Sequence, residues 1–173
     1  MQISAGDILV ASPEMSDKYF KDAVIFIAAI DPNAVAGFIL NRPTTMPASE
    51  LFDNLDDYYK KLRRRMFVGG PVEESVLHLI ALGHFGGKEI IPGLRLGGHW
   101  DSIEEMLSSN EYENRLFLGY CGWTLDQLRG EIRAGCWLVF QNASILEIFN
   151  EIDNGNMPTS QSAIAILNEF SNI

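Results

Sequence analysis

Basic charge is scarce in this chain. Thirteen Lys and Arg stand against 23 Asp and Glu, a net charge of −10. A nucleic-acid binder exchanges a positive field for condensed counterions, so direct DNA binding is disfavoured from the outset. The deficit is uneven, −3 over residues 1–87 and −7 over residues 88–173. Cysteine is rarer still. Cys121 and Cys136, both set among apolar neighbours, are too few for a disulfide framework. Long apolar runs are missing as well: the longest, Ala23 to Ile30, is far too short to span a bilayer. The N-terminus lacks the basic-then-apolar layout of a signal peptide, so cytoplasmic residence without membrane association is expected. His84, His99 and Asp101 fall in neither an HxxxH helix nor a CxxC frame, and no metal site or cofactor is expected.

What remains is the material of one globular domain spanning 1–173. Hydrophobic residues make up 47% and charged residues 21%, enough to bury a substantial core. Ile8 to Ala11 reads as a short buried strand, and Ser16 to Lys21 leaves room for about a turn and a half of helix. AVIFIAAI and VAGFILN flank Asp31-Pro32-Asn33-Ala34, whose residues suit a type I turn, making this the strongest hairpin signal in the chain. Pro43 holds Arg42 extended at the end of its strand. Arg42 is then either a clamp on a carboxylate or on helix-end carbonyls, or an anion contact. Ser49 caps a helix carrying Leu51, Leu55, Tyr58 and Leu62, and the basic run at 60–65 reads as its solvated end rather than a phosphate grip.

Arg65 to Gly69 predicts a strand that stops at Gly69-Gly70-Pro71-Val72, where two glycines allow unusual dihedrals or a close backbone approach. Val76 to Leu82 predicts another strand, with His78 inside it as a hydrogen-bonded core or edge residue. The segment 83–98 fails as a phosphate loop: Glu89 follows Gly87-Lys88 where Ser or Thr is needed, and position 82 is Leu. Short strands at Ile90-Ile91 and Leu94 to Leu96 fit better. Ser102 to Glu105 fits a capping box, and 110–114 reads as a polar loop.

The most distinctive stretch is FLGYCGWTLDQLRGEIRAGCW, Phe117 to Trp137. It predicts a strand ending in a glycine turn, then a helix capped by Thr124, with Gln127 reaching back to the cap amide and Gly135 ending it. Leu125, Leu128 and Ile132 form its buried stripe, and Gly130 in its interior suggests close packing. Gly119-Tyr120-Cys121-Gly122 approaches a nucleophile elbow, but position 123 is Trp where the second glycine is required, and an inert buried Cys121 is the better reading.

GDILVASPEM with Asp17 and Phe20, GFILNRP at 37–43, GGPV at 69–72 and LGYCGWTLDQLRGEIRAGCWL occur in the order found in the AlgH/YqgE family of uncharacterised bacterial proteins. The chain resembles that family over about 6–138. The resemblance implies an α+β fold, a mixed, mainly antiparallel bifurcated sheet folded into a pseudo-barrel with flanking helices. It implies no established catalytic activity and a loose association with transcriptional regulation. Cys121 stands where relatives usually have alanine, and Thr124 and Arg129 where they more often have glycine and an acid. Beyond 138 the pattern diverges into two helices, about 142–154 and 160–171, which read as a swapped arm, a partner surface or further core.

The expected function is non-catalytic binding or regulation through a protein or small-molecule partner. The candidate surface comprises Asn41, Arg42, Gly69, Gly70, Tyr120, Trp123, Gln127 and Glu131. The alternative is a hydrolase in which Arg42 orients an anion and Glu131 acts as acid or base in one cleft.

Overall fold

A computed structural model describes residues 2–44, 66–82, 87–97 and 114–171. The expected helix after Ser49, the basic run at 60–65, the capping box at Ser102, His84, His99 and Asp101 lie outside the described residues. The strands are β1 Ile8–Ala11, β2 Val24–Ile30, β3 Val35–Ile39, β4 Met66–Val68, β5 Val72–Leu82, β6 Lys88–Ile91, β7 Leu94–Leu96, β8 Asn114–Trp123 and β9 Trp137–Phe140. The helices are α1 Leu125–Arg133, α2 Ile145–Asp153 and α3 Ser160–Ser171.

The strands form one sheet in the order β6-β7-β5-β8-β3-β2-β1-β9, with β4 attached to β8. Every pairing is antiparallel except β4 with β8. The fold is α+β, a mixed, mainly antiparallel sheet curled into a half-barrel with flanking helices. The sheet bifurcates along β8, where Leu116 to Leu118 carry β4 and Cys121 to Trp123 carry β3.

The central strands are apolar at nearly every position because both of their faces are covered. Alternate residues divide between two cores. Ile8, Val10, Phe26, Phe38 and Phe117 point into the half-barrel, where α2 and α3 contribute Ile148, Phe149, Ala163 and Leu167. Leu9, Ile25, Ile27, Ile39 and Trp123 face the other way, beneath Leu128 of α1. Asp31 Oδ1 accepts from the amides of Asn33 (2.7 Å) and Ala34 (2.9 Å), which closes the β2–β3 turn and holds this carboxyl below its usual range. A bulge at Ala28 shifts the register of this hairpin.

The two C-terminal helices are part of the body. Asn41 Nδ2 donates to Asp22 O (2.7 Å) and Pro158 O (2.8 Å), while its Oδ1 accepts from Val24 N (2.9 Å). Asp22 Oδ1 accepts from Ser160 N at the start of α3 (2.9 Å). Buried Arg115 reaches α2, donating to Asp153 Oδ2 (2.8 Å) with its guanidinium 4.4 Å from the Phe149 ring centre.

Several local expectations are corrected. Residues 18–22 form turns rather than helix, since Asp17 Oδ1 takes the Tyr19 amide (2.8 Å) in a side-chain turn that competes with helical bonding. β5 begins at Val72 rather than Val76, with residues 73–76 displaced as a wide irregularity between paired Val72 and Leu77. Asn114 already belongs to β8 and is buried. Asn142 adopts a left-handed φ of 57°, so α2 starts only after Ser144. The expected glycine turn at 119–122 is absent: β8 runs unbroken to Trp123.

Candidate functional site

The glycines of β8 serve a crossing of backbones. Gly119 has φ 69°, and a methyl group there would collide with Gly70 O. One at Gly69 would collide with Gly119 O, and one at Gly70 with the Tyr120 carbonyl. At the branch of the sheet, chains therefore pass closer than any side chain permits. The Arg42 end of β3 joins this crossing: Val68 N donates to Arg42 O (2.8 Å), Pro43 bridges Phe67, and Ile39 N donates to Gly69 O (2.8 Å). The three sequence motifs at 41–43, 69–72 and 119–123 are neighbours, but Gly69 and Gly70 are buried and the crossing is filled by backbone.

Trp123 leaves this crossing and anchors α1. Thr124 caps the helix by accepting from Gln127 N (3.1 Å). Gly135, at φ 79°, ends it with paired bonds from Gly135 N to Ile132 O and from Cys136 N to Glu131 O, each 3.0 Å. The Gln127 side chain does not return to the cap. Its Nε2 donates forward to Glu131 Oε1 (3.0 Å), while Glu131 Oε2 accepts the indole N–H groups of Trp123 (3.1 Å) and Trp137 (2.8 Å). One carboxylate thus pins helix, incoming strand and outgoing strand together. Bonds to a charged acceptor of this kind are worth about 1.5–3 kcal/mol each.

Arg42 is held elsewhere. Its Nη2 donates to Tyr19 O (2.6 Å) and its guanidinium lies 4.8 Å from the Tyr19 ring centre, the clamp arrangement on a carbonyl. Burial raises the Tyr19 phenol, with Arg42 opposing the shift. Cys121 is buried, its thiol donates to Gly69 O (3.4 Å), and burial pushes it up to about 12, so it is a packing group rather than a nucleophile at neutral pH. Arg42 and Glu131 thus have separate structural partners. No group of three or more potential metal ligands occurs among the described residues.

An open cavity adjoins the crossing along the last residues of β8. This cavity, of about 490 Å³, is bounded by the β2–β3 turn and β3 (Asn33 to Ala36, Phe38), by Ala28, by His78 and Leu96, and by Tyr120, Gly122, Trp123, Thr124 and Gln127. Of the eight candidate residues, Tyr120, Trp123 and Gln127 line it. Asn41, Arg42, Gly69, Gly70 and Glu131 do not; they make structural contacts outside it.

His78 is the lining residue whose role was misjudged from sequence. Its Nε2 is buried without a hydrogen-bond partner among the described residues, against the expectation of a bonded core histidine. The ring instead packs at 5.2 Å from Phe38 and 5.9 Å, edge-on, from Tyr120. Burial lowers its basicity, with Glu73 opposing weakly, so the imidazole is neutral at physiological pH. Alternation along Val76 to Leu82 identifies the strand but gives no sign that this histidine faces a void.

A model of the AlgH-like family matches residues 8–157. A UPF0301 protein of Chlorobium luteolum is 32% identical over 142 residues, covering 79% of this chain and 73% of that protein. One from Mycobacterium bovis is 31% identical over 147 residues, covering 80% and 71%. The solution structure of the AlgH protein from Pseudomonas aeruginosa superposes with a TM-score of 0.72 at 21% identity, covering 95% of this chain and 90% of that one. A crystal structure of a Corynebacterium diphtheriae protein gives 0.64 at 21% identity, covering 80% and 76%. These structures share the fold. No helix among the described residues is long and apolar enough to cross a membrane.

Proposed function

This chain belongs to the AlgH-like family, and from that premise and the geometry of β8 we propose that it is a non-catalytic binding protein whose site is the cavity beside Trp123. One observation carries the proposal: a concavity within the usual 300–1,000 Å³ range of ligand sites, apolar at its base, bounded by a few polar side chains. The groups a hydrolase would need are engaged in holding the fold. Glu131 accepts three hydrogen bonds, and Arg42 serves a backbone carbonyl. The partner is a small molecule. A net charge of −10 argues against a direct grip on DNA, so any regulatory role would pass through occupancy of this site.

The test uses N-phenyl-1-naphthylamine, an uncharged dye that brightens in apolar surroundings. Saturable one-to-one binding is expected, and Gly122→Leu should abolish it. Gly122 sits on the cavity wall with ordinary backbone angles and space for a side chain beside the Tyr120 ring, so the variant should melt near the parent temperature. Unchanged dye binding in a folded Gly122→Leu protein, or no saturable binding in the parent, rules the cavity out.

A further inference from the structure

The cavity is chemically divided. Its base is made of Ala28 and Phe38, both buried and apolar, beside half-buried Ala36, while Asn33, Thr124 and Gln127 are exposed and polar at its mouth. Three rings on one face of the sheet, Phe38, His78 and Tyr120, pack together in the lining and offer faces and edges to a bound ring. No Asp, Glu, Lys or Arg is among its described lining residues. An ion entering it would shed water without gaining a counter-charge from the lining.

The surroundings reinforce neutrality. His78 is uncharged near pH 7 because burial disfavours its imidazolium. Two carboxylates have direct links to the lining: Asp31 accepts from the Asn33 and Ala34 amides, and Glu131 accepts from Trp123, Trp137 and Gln127. Both disfavour an anion at the mouth, and since neither lines the cavity a cation inside it gains no direct ion pair with them. The bond to Glu131 fixes the Gln127 amide: because a carboxylate only accepts, Nε2 must face Glu131, and the Gln127 carbonyl oxygen is left to accept from a ligand. The Thr124 hydroxyl oxygen accepts from the Gln127 backbone N–H, which leaves its O–H as a donor.

We infer that the site takes an uncharged small molecule with a flat aromatic body and a single hydroxyl- or amide-like end, the ring seated towards Phe38 and Tyr120 and the polar end meeting Gln127 and Thr124. This rests on the binding function proposed above and adds the chemical class of the ligand.

Four probes sharing one ring separate the possibilities: toluene, p-cresol, 4-methylbenzoate and 4-methylbenzylammonium. Each is titrated into the full chain while NMR follows the Trp123 indole N–H, which shares the Glu131 acceptor with Gln127 and so reports on the mouth. We expect p-cresol to move the Trp123 signal and to bind at least tenfold more tightly than either ion. Its advantage over toluene should vanish in Gln127→Met, and all binding should vanish in Gly122→Leu. If either ion binds as tightly as p-cresol, the ligand class is wrong although the cavity is a binding site. If the dye saturates and no probe moves Trp123, the class is equally overturned. If neither dye nor probes bind, both the class and the binding function fall.

Discussion

Two parts of β8, only a few residues apart, treat space in opposite ways. At Gly119 the backbone is crossed by Gly69 and Gly70 so closely that an added methyl group would strike main-chain atoms. At Gly122 the strand borders a cavity of about 490 Å³. Both positions are glycine, both lie in one strand, and both belong to the motif that distinguishes the chain. The first glycine is required by what touches it; the second is set beside something left empty. The difference explains how a bifurcated sheet makes a site. The crossing at 69–70 and 119 draws β4 and β5 onto the first half of β8, and the strand then passes to β3, leaving a gap between His78 on one side and the β2–β3 hairpin on the other.

The largest test of this contrast compares alanine at the two parts. Gly70→Ala places Cβ against the Tyr120 carbonyl, which cannot rotate aside as a side chain can. Overpacking of this kind costs about 1–3 kcal/mol and sometimes more, and backbone crowding puts this variant at the upper end. Gly122→Ala should remain within about 0.5 kcal/mol of the parent. Urea unfolding of both variants checks the pair. Similar midpoints would remove the distinction between crowded and open glycines.

A smaller effect should come from the cavity itself, through His78. Burial lowers its folded-state pKa, so the folded chain disfavours the proton that the unfolded chain accepts near its ordinary value of 6.5. The sign follows: the contribution of neutral His78 is fully present above that unfolded value. It is lost as pH falls from there towards the lowered folded value, below which the loss levels off. Comparing urea midpoints of the parent and His78→Leu between pH 7.5 and pH 5 isolates this phase. The leucine variant should lose less stability on acidification. If the two curves run parallel, His78 is not desolvated and the cavity is wetter than its walls suggest.

Much of the frame is legible in the chain. AVIFIAAI and VAGFIL, short and apolar on both sides of the Asp31-Pro32 turn, read as strands covered on both faces, and Thr124 and Gly135 bracket α1 because caps are local chemistry. Glycine at 119 and 122 is ambiguous, because a tight turn and a close crossing both require the absence of Cβ. Only the partner, Gly69-Gly70, decides between them, and it lies some fifty residues away. The same limit hides Glu131: its spacing on the helix shows the flank it occupies, but not that Trp123 and Trp137 both donate to it. Of the residues bordering the cavity, Tyr120, Trp123 and Gln127 stand out in the sequence by composition and placement. Ala36 and His78 do not, because a void is a property of what surrounds it and no residue announces one.

Gly130 takes the comparison onto α1 with the smallest expected change. A glycine inside a helix invites the expectation of close packing, as at Gly70. In the structure a Cβ built there meets nothing within 4 Å, and its φ lies outside the left-handed region. Gly130 therefore resembles Gly122 rather than Gly70. Alanine would reduce the freedom of the unfolded chain and lose nothing in the folded one. Gly130→Ala should thus stabilise by about 0.5–1 kcal/mol, a rise in Tm of about 1–4 °C for a chain of this size. Calorimetry of the isolated protein measures it directly. A fall in Tm would mean that another surface presses on this face of α1, and the helix that walls the cavity through Gln127 would then be held from outside as well as by Glu131.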